Sequence, residues 1–194
     1  MLVLYICKMK VDEKYICHSG GAEGADSYFE FFSKKYAVDV IAYSYKTAFH
    51  QSVNKYELSD SEYREGVANV IKTNEVLKRS RIHSYLKFLA RNWHQVKNAE
   101  EVFAVSTFRK SNNHLQVQGG TAWAVQMAID LQKCVWVFDQ NQTEWFRYDH
   151  YRKEFRKTSD LPKINATNFA GIGTRNINLF GINAIEQLFE SSFN

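Results

Sequence analysis

The sequence predicts an α/β domain, a mainly parallel sheet covered by helices on both faces. Three observations predict it. Short β-rich apolar runs alternate with helically periodic segments along most of the 194 residues, the pattern of parallel strands joined by crossover helices. Three glycine turns each follow a strand-like run and lead into a helix-like one: Ser19-Gly20-Gly21-Ala22-Glu23-Gly24-Ala25-Asp26, Gly119-Gly120-Thr121 and Gly171-Ile172-Gly173-Thr174-Arg175. The chain has a single proline, Pro162, and no repeat or low-complexity tract, so residues 1–194 read as one domain.

Tyr15–Ser19 reads as the strand that enters the first turn. Tyr28, Phe29, Phe32 and Tyr36 then recur at helical spacing over Ala25–Tyr36. Val38–Tyr43 is a short strand, and the polar stretch Ala48–Ser61 reads as loop. Glu62–Leu77 and Ile82–Val96 carry helical periodicity. Glu101–Thr107 is a strand, followed by a polar loop over Arg109–Gln118. Thr121–Leu131 is a helix and Cys134–Asp139 a strand. Trp145–Phe155 reads as an extra hairpin inside an insertion at about 140–161. Thr167–Ile172 is the last strand, and Ile177–Phe189 closes the chain as a helix with an apolar stripe. Right-handed crossovers make such a sheet doubly wound, with ligands beyond the carboxyl ends of its strands.

Composition narrows the partners. Hydrophobic content of 45% and charged content of 24% are those of a soluble globular protein. Aromatic residues make up 15%, which points to a bulky core or a subunit interface, and a homo-oligomer burying Trp145–Phe155 is one expectation. The net charge of +4 is too mild to point to nucleic acid. Cys7, Cys17 and Cys134 lie in apolar runs without a CxxC pair and read as buried, reduced thiols. Leu2–Cys7 is short and lacks the basic leader of a signal peptide, and no run approaches the ~20 apolar residues of a membrane span. A cytoplasmic protein without a membrane partner is expected. The six histidines make no metal-ligand spacing, and no cofactor is implied.

The glycine turns carry the functional reading. A strand, a glycine turn and a helix start aim unpaired N–H groups and a positive helix end at one spot. Three such turns meeting at one sheet edge would bind an anion, most simply the phosphate of a small molecule. The candidate residues are Ser19, Gly20, Gly21, Glu23, Asp26, Gly119, Gly120, Thr121, Gly171, Gly173, Thr174 and Arg175. Each has an alternative role. Ser19 and Thr121 either donate to phosphate or cap the following helix. Asp26 binds a ribose hydroxyl or amine, or steadies a helix N-terminus. Arg175 clamps phosphate or forms a surface ion pair. Glu23 contacts the ligand as the best candidate general base, or faces away. Arg91, Asn92 and Gln95 share a helix face that reaches the pocket or caps nearby backbone. Trp123 stacks on a ring or packs between helix and sheet.

Ser19-Gly20-Gly21-Ala22 with Gly24-Ala25-Asp26, and Gly119-Gly120-Thr121, resemble the SLOG superfamily. That group includes the Lonely Guy cytokinin-activating enzymes, the DNA-processing protein A family and small bacterial and phage proteins of unknown role. Arg91-Asn92, Gln95-Val96 and the run Gly119–Asp130 resemble a small subgroup of it. The Gly-Ser/Thr-Arg turn that such proteins carry on their first strand is matched here by Ala170–Arg175, at the far end of the chain. The resemblance therefore implies a circularly permuted, Rossmann-like three-layer αβα sandwich whose C-terminal strand is central. The implied order is Val38–Tyr43, Tyr15–Ser19, Thr167–Ile172, Glu101–Thr107, Cys134–Asp139. It also implies a nucleotide-derived, phosphate-bearing ligand, either ADP-ribose-like, a cyclic nucleotide or NAD-derived. The protein would sense or sequester it, for instance in phage–host immunity, and dimers are common in the group. Lonely Guy enzymes place acidic residues two and three positions after the threonine of their turn, where this chain has Trp123 and Ala124. The alternative reading, a nucleotide hydrolase or N-glycosidase, lacks that carboxylate.

Overall fold

The computed structural model describes residues 14–194 except 51, 81, 112 and 113. The expectations at Leu2–Cys7, Cys7 included, lie outside the described residues. Strand β1 (Ile16–Ser19) leads to α1 (Ala25–Lys35) and β2 (Asp39–Ser44), and β3 (Lys55–Glu57) follows. Helices α2 (Asp60–Leu77) and α3 (Leu86–Lys97) flank a 3₁₀ turn at Ile82–Tyr85. Strand β4 (Glu101–Ser106) precedes the β5 (Phe108–Ser111) and β6 (His114–Val117) pair, then α4 (Thr121–Asp130) and β7 (Cys134–Asp139). Strands β8 (Glu144–Asp149), β9 (Glu154–Lys157) and β10 (Asn168–Gly173) lead to α5 (Leu179–Phe193).

Eight strands form one sheet in the order β3-β2-β1-β10-β4-β7-β8-β9. The first six run parallel; β8 and β9 are antiparallel. The fold is a Rossmann-like α/β sandwich with a mainly parallel sheet. Strands β2, β1, β10, β4 and β7 stand in the order that the resemblance implies, and the C-terminal strand is central, with Cys17 opposite Phe169 and Phe103 opposite Gly171. Helices α1 and α5 bury Phe29, Phe32, Phe103, Phe169 and Phe189 on one face. Helices α2, α3 and α4 bury Val70, Leu89, Trp123, Met127 and Ala170 on the other. Strand alternation explains how β10 serves both layers: Phe169, Gly171 and Gly173 face α1, and Ala170 and Ile172 face the opposite core.

Two expectations are corrected. Ala48–Ser61 is not loop throughout, because it contains β3 and the start of α2. Ser59 caps that helix in a capping box with Glu62, which explains a helix starting in so polar a stretch. Arg109–Gln118 is not a loop but most of an antiparallel pair, in which Phe108 opposite Val117 buries one apolar end and Leu115 is the one other apolar residue. In the hairpin, Trp145 and Phe146 are buried within the chain, and Phe155 packs on Phe108 and Tyr148. Of that group only Tyr151, 96% exposed, stands free. The β8–β9 hairpin covers the edge of β7 and leaves a new edge bearing Glu154, Arg156 and Lys157, charges that discourage further pairing.

Candidate functional site

Beyond the carboxyl ends of β1, β2 and β10 lies a cavity of about 300 Å³. Its wall combines Gly21, Ala22 and Glu23 after β1 with Tyr45, Thr47, Phe49 and His50 after β2. Phe88 and Arg91 come from α3, and Arg175 follows β10. Tyr45 and Phe88 meet edge to face at 5.5 Å, and Phe49 is almost fully exposed at the rim.

The first glycine turn is built backbone-first. Ser19 Oγ donates to Glu30 Oε1 at 2.9 Å and accepts the Gly21 N–H at 3.1 Å. Ser19 is therefore not a helix cap; α1 begins at Gly24 without a side-chain cap. Gly21 has φ +60°, and a Cβ there would strike the His50 ring. The 45–54 segment is strapped onto the turn, with Ser52 Oγ donating to Glu30 Oε2 at 2.6 Å and His50 Nε2 lying 3.2 Å from the Gly20 carbonyl. Burial lowers the pKa of His50, and the Gly20 carbonyl opposes that shift.

Asp26 ties the first and last glycine segments together. Its Oδ1 accepts the Gly173 N–H at 3.1 Å and its Oδ2 the Ala22 N–H at 3.4 Å. Ala25 N–H adds a bond to the Thr174 carbonyl at 3.0 Å. Burial pushes the Asp26 carboxyl up to about 6, against the pull of the Arg91 guanidinium and the two N–H donors. Gly20 is buried in front of this group, and a Cβ there would come within 2.6 Å of both Asp26 Oδ2 and Gln95 Nε2.

Two guanidiniums face the cavity. Burial lowers the pKa of Arg91, Asp26 raises it, and the Arg175 charge lowers it further. Among the described residues neither Arg91 nor Arg175 has a carboxylate within 4.0 Å. Glu23 is the acidic residue on the wall.

The twelve residues singled out in the sequence are thus divided. Gly21, Glu23 and Arg175 line the cavity, with Ser19, Gly20 and Asp26 directly behind. Thr174 holds the junction through its carbonyl, and its Oγ1 accepts the Asn176 N–H at 3.2 Å. Gly171 and Gly173 lie inside β10, where a Cβ would overlap Phe29 in one case and Ala25 in the other; their smallness admits α1 onto the sheet. Gly119, Gly120 and Thr121 stand across α3 from the cavity. Asn92 Nδ2 donates to the Gly120 carbonyl at 3.2 Å, and Thr121 is buried without capping α4. Trp123 packs between helix and sheet, in the core. The sequence reading missed Tyr45, Phe49, His50 and Phe88. Tyr45, Phe49 and His50 follow closely on the strand read at Val38–Tyr43, which was the one signal for them, and Phe88 lies inside a segment read as helix.

No protein-family model, curated protein or solved structure matches the chain. No described helix is long and apolar enough to cross a membrane.

Proposed function

We propose that the cavity binds a nucleotide-derived, phosphate-bearing small molecule, and that the protein acts as a sensor or sequestering protein for it. One observation carries this reading. Arg91 and Arg175 come from different elements to one cavity, and neither is matched by a protein carboxylate within 4.0 Å among the described residues. Like charges held together favour an anion between them, and guanidinium forks match phosphate oxygens. The aromatic rim of Tyr45, Phe49 and Phe88 suits a flat ring on the same ligand. The resemblance to the SLOG superfamily favours the same ligand class. The central C-terminal strand is the order that a permuted member of that superfamily would have.

Mass spectrometry of small molecules released from the purified, heat-denatured protein tests the reading. A nucleotide or dinucleotide fragment is expected. A protein that carries none, and that takes up none of ADP-ribose, cyclic nucleotides or NAD on titration, refutes it. A hydrolytic role has one observation in its favour, the exposed Glu23 carboxylate on the same wall as the two arginines. Product formed from those nucleotides, and lost in Glu23→Gln, would favour the hydrolase over the binding protein.

A further inference from the structure

We infer that Arg79 and Arg109 form a second anion site, separate from the cavity, that takes a phosphoryl group of a small ligand beside Gly119. The site is organised around Gln116 on β6. Its Oε1 accepts from Arg79 Nη2 at 3.2 Å, from Arg109 Nε at 3.2 Å and from Arg109 Nη2 at 2.6 Å. Two positive side chains thus converge on one neutral oxygen. Among the described residues neither has a carboxylate within 4.0 Å.

Arg79 is held there by backbone. It donates to the Val117 carbonyl at 2.6 Å and the Gly119 carbonyl at 3.0 Å, and its guanidinium lies 5.1 Å from the centre of the Trp123 ring. Its Nε is buried and has no partner among the described residues. Burial, then the Arg109 charge, press its pKa down to about 10. The space over the turn is open: Gly119 has φ +65°, and a Cβ there would meet nothing within 4 Å.

The Gln116 amide oxygen accepts three hydrogen bonds from these two forks but supplies no charge. A phosphoryl group supplies both, because its several oxygens can engage two guanidiniums at once. Helix α3 separates this site from the cavity, with Asn92 reaching Gly120 and Arg91 lining the cavity wall. The inference stands apart from the proposed function. The rival explanation is mechanical, with the arginines only clamping the β5–β6 pair to the end of α2. A clamp has no use for an anion.

Inorganic pyrophosphate, titrated calorimetrically at low salt into wild type, Gln116→Glu and Arg175→Ala, separates these ideas. Gln116→Glu supplies the missing charge from within the chain. It should weaken pyrophosphate binding at this site at least about tenfold, and it should melt higher than wild type without anion. Gln116→Leu removes the shared acceptor, so it should melt lower and gain more from pyrophosphate than wild type does. Arg175→Ala should leave this binding intact. Binding by Gln116→Glu equal to wild type overturns the inference, as does wild type taking up no pyrophosphate. Complete loss of binding in Arg175→Ala assigns the anion to the cavity and also overturns it. Pyrophosphate uptake lost in Gln116→Glu but unmoved by Arg175→Ala supports this site and counts against the cavity as an anion pocket. A deoxythymidine oligonucleotide that binds here more tightly than pyrophosphate overturns the small-ligand assignment in favour of a nucleic-acid backbone.

Discussion

Asp26 makes folding depend on pH in a direction opposite to that of most carboxylates. Its side chain is buried behind the first glycine turn, and its pKa is raised from 3.8 to about 6. A carboxyl whose folded pKa exceeds its unfolded value binds its proton more tightly in the folded state. Its stabilising contribution is full below about pH 4, falls as pH rises, and is lost once pH passes about 6. A shift of about two units corresponds to about 3 kcal/mol, an upper figure for a group also held by Arg91 and two N–H donors. The comparison is with Asp26→Asn, which cannot titrate. Asparagine can accept from only one of the Gly173 and Ala22 N–H groups and turns its own N–H₂ toward the other. That penalty in the variant does not titrate, so the pH dependence of the difference comes from Asp26 alone. Urea unfolding of both proteins at pH 4, 5, 6 and 7 gives the difference in free energy at each pH. Other carboxylates titrate alike in the two proteins and cancel. The advantage of wild type should shrink by up to about 3 kcal/mol between pH 4 and pH 7, most of it before pH 6. A difference that stays constant across this range would refute the claim that Asp26 is buried with a raised pKa.

The other predictions separate glycines that pack from glycines that turn, and cavity from scaffold. Gly171→Ala forces a Cβ into the Phe29 ring and should destabilise by about 1–3 kcal/mol, read from thermal melting. An unshifted melt with lost ligand uptake would return Gly171 to the binding site. Gly120→Ala has φ −66° and only an ordinary contact with Leu89, so its stability should stay within about 0.5 kcal/mol of wild type. A larger loss would mean that the turn is more constrained than its geometry shows. Arg175→Ala, on an exposed side chain, should keep the fold and lose nucleotide uptake in calorimetry at least about tenfold, and equal uptake would remove Arg175 from the site. Ending the chain after Ala166 removes β10 and α5. The inner edges of β1 and β4 are then left unpaired, so no soluble protein is expected on expression; a folded truncation, seen by circular dichroism, would contradict the central placement of β10.

The sequence by itself determined the layers, whereas the order of five of the strands came from the resemblance that its glycine turns carry. Strand and helix have different apolar periods, so runs such as Glu101–Thr107 and Thr121–Leu131 declare their type locally, and the crossover rule then fixes how parallel strands connect. It also pointed to the carboxyl ends of the strands, where a cavity lined by Gly21, Glu23 and Arg175 lies. Tertiary structure decided what each glycine is for. Gly21 and Gly171 look alike in sequence, but one adopts φ +60° in a turn and the other makes room for Phe29. That difference depends on α1 lying across β10, a contact between residues more than a hundred positions apart in the chain. The β5–β6 pair was hidden for a related reason. Its polar residues carry no apolar period, and the pairing rests on Phe108 and Val117 reaching a core that other elements supply. The convergence of Arg91 and Arg175 was likewise beyond local reading. Charge is visible residue by residue, whereas it takes the fold to keep every described carboxylate more than 4.0 Å from both guanidiniums.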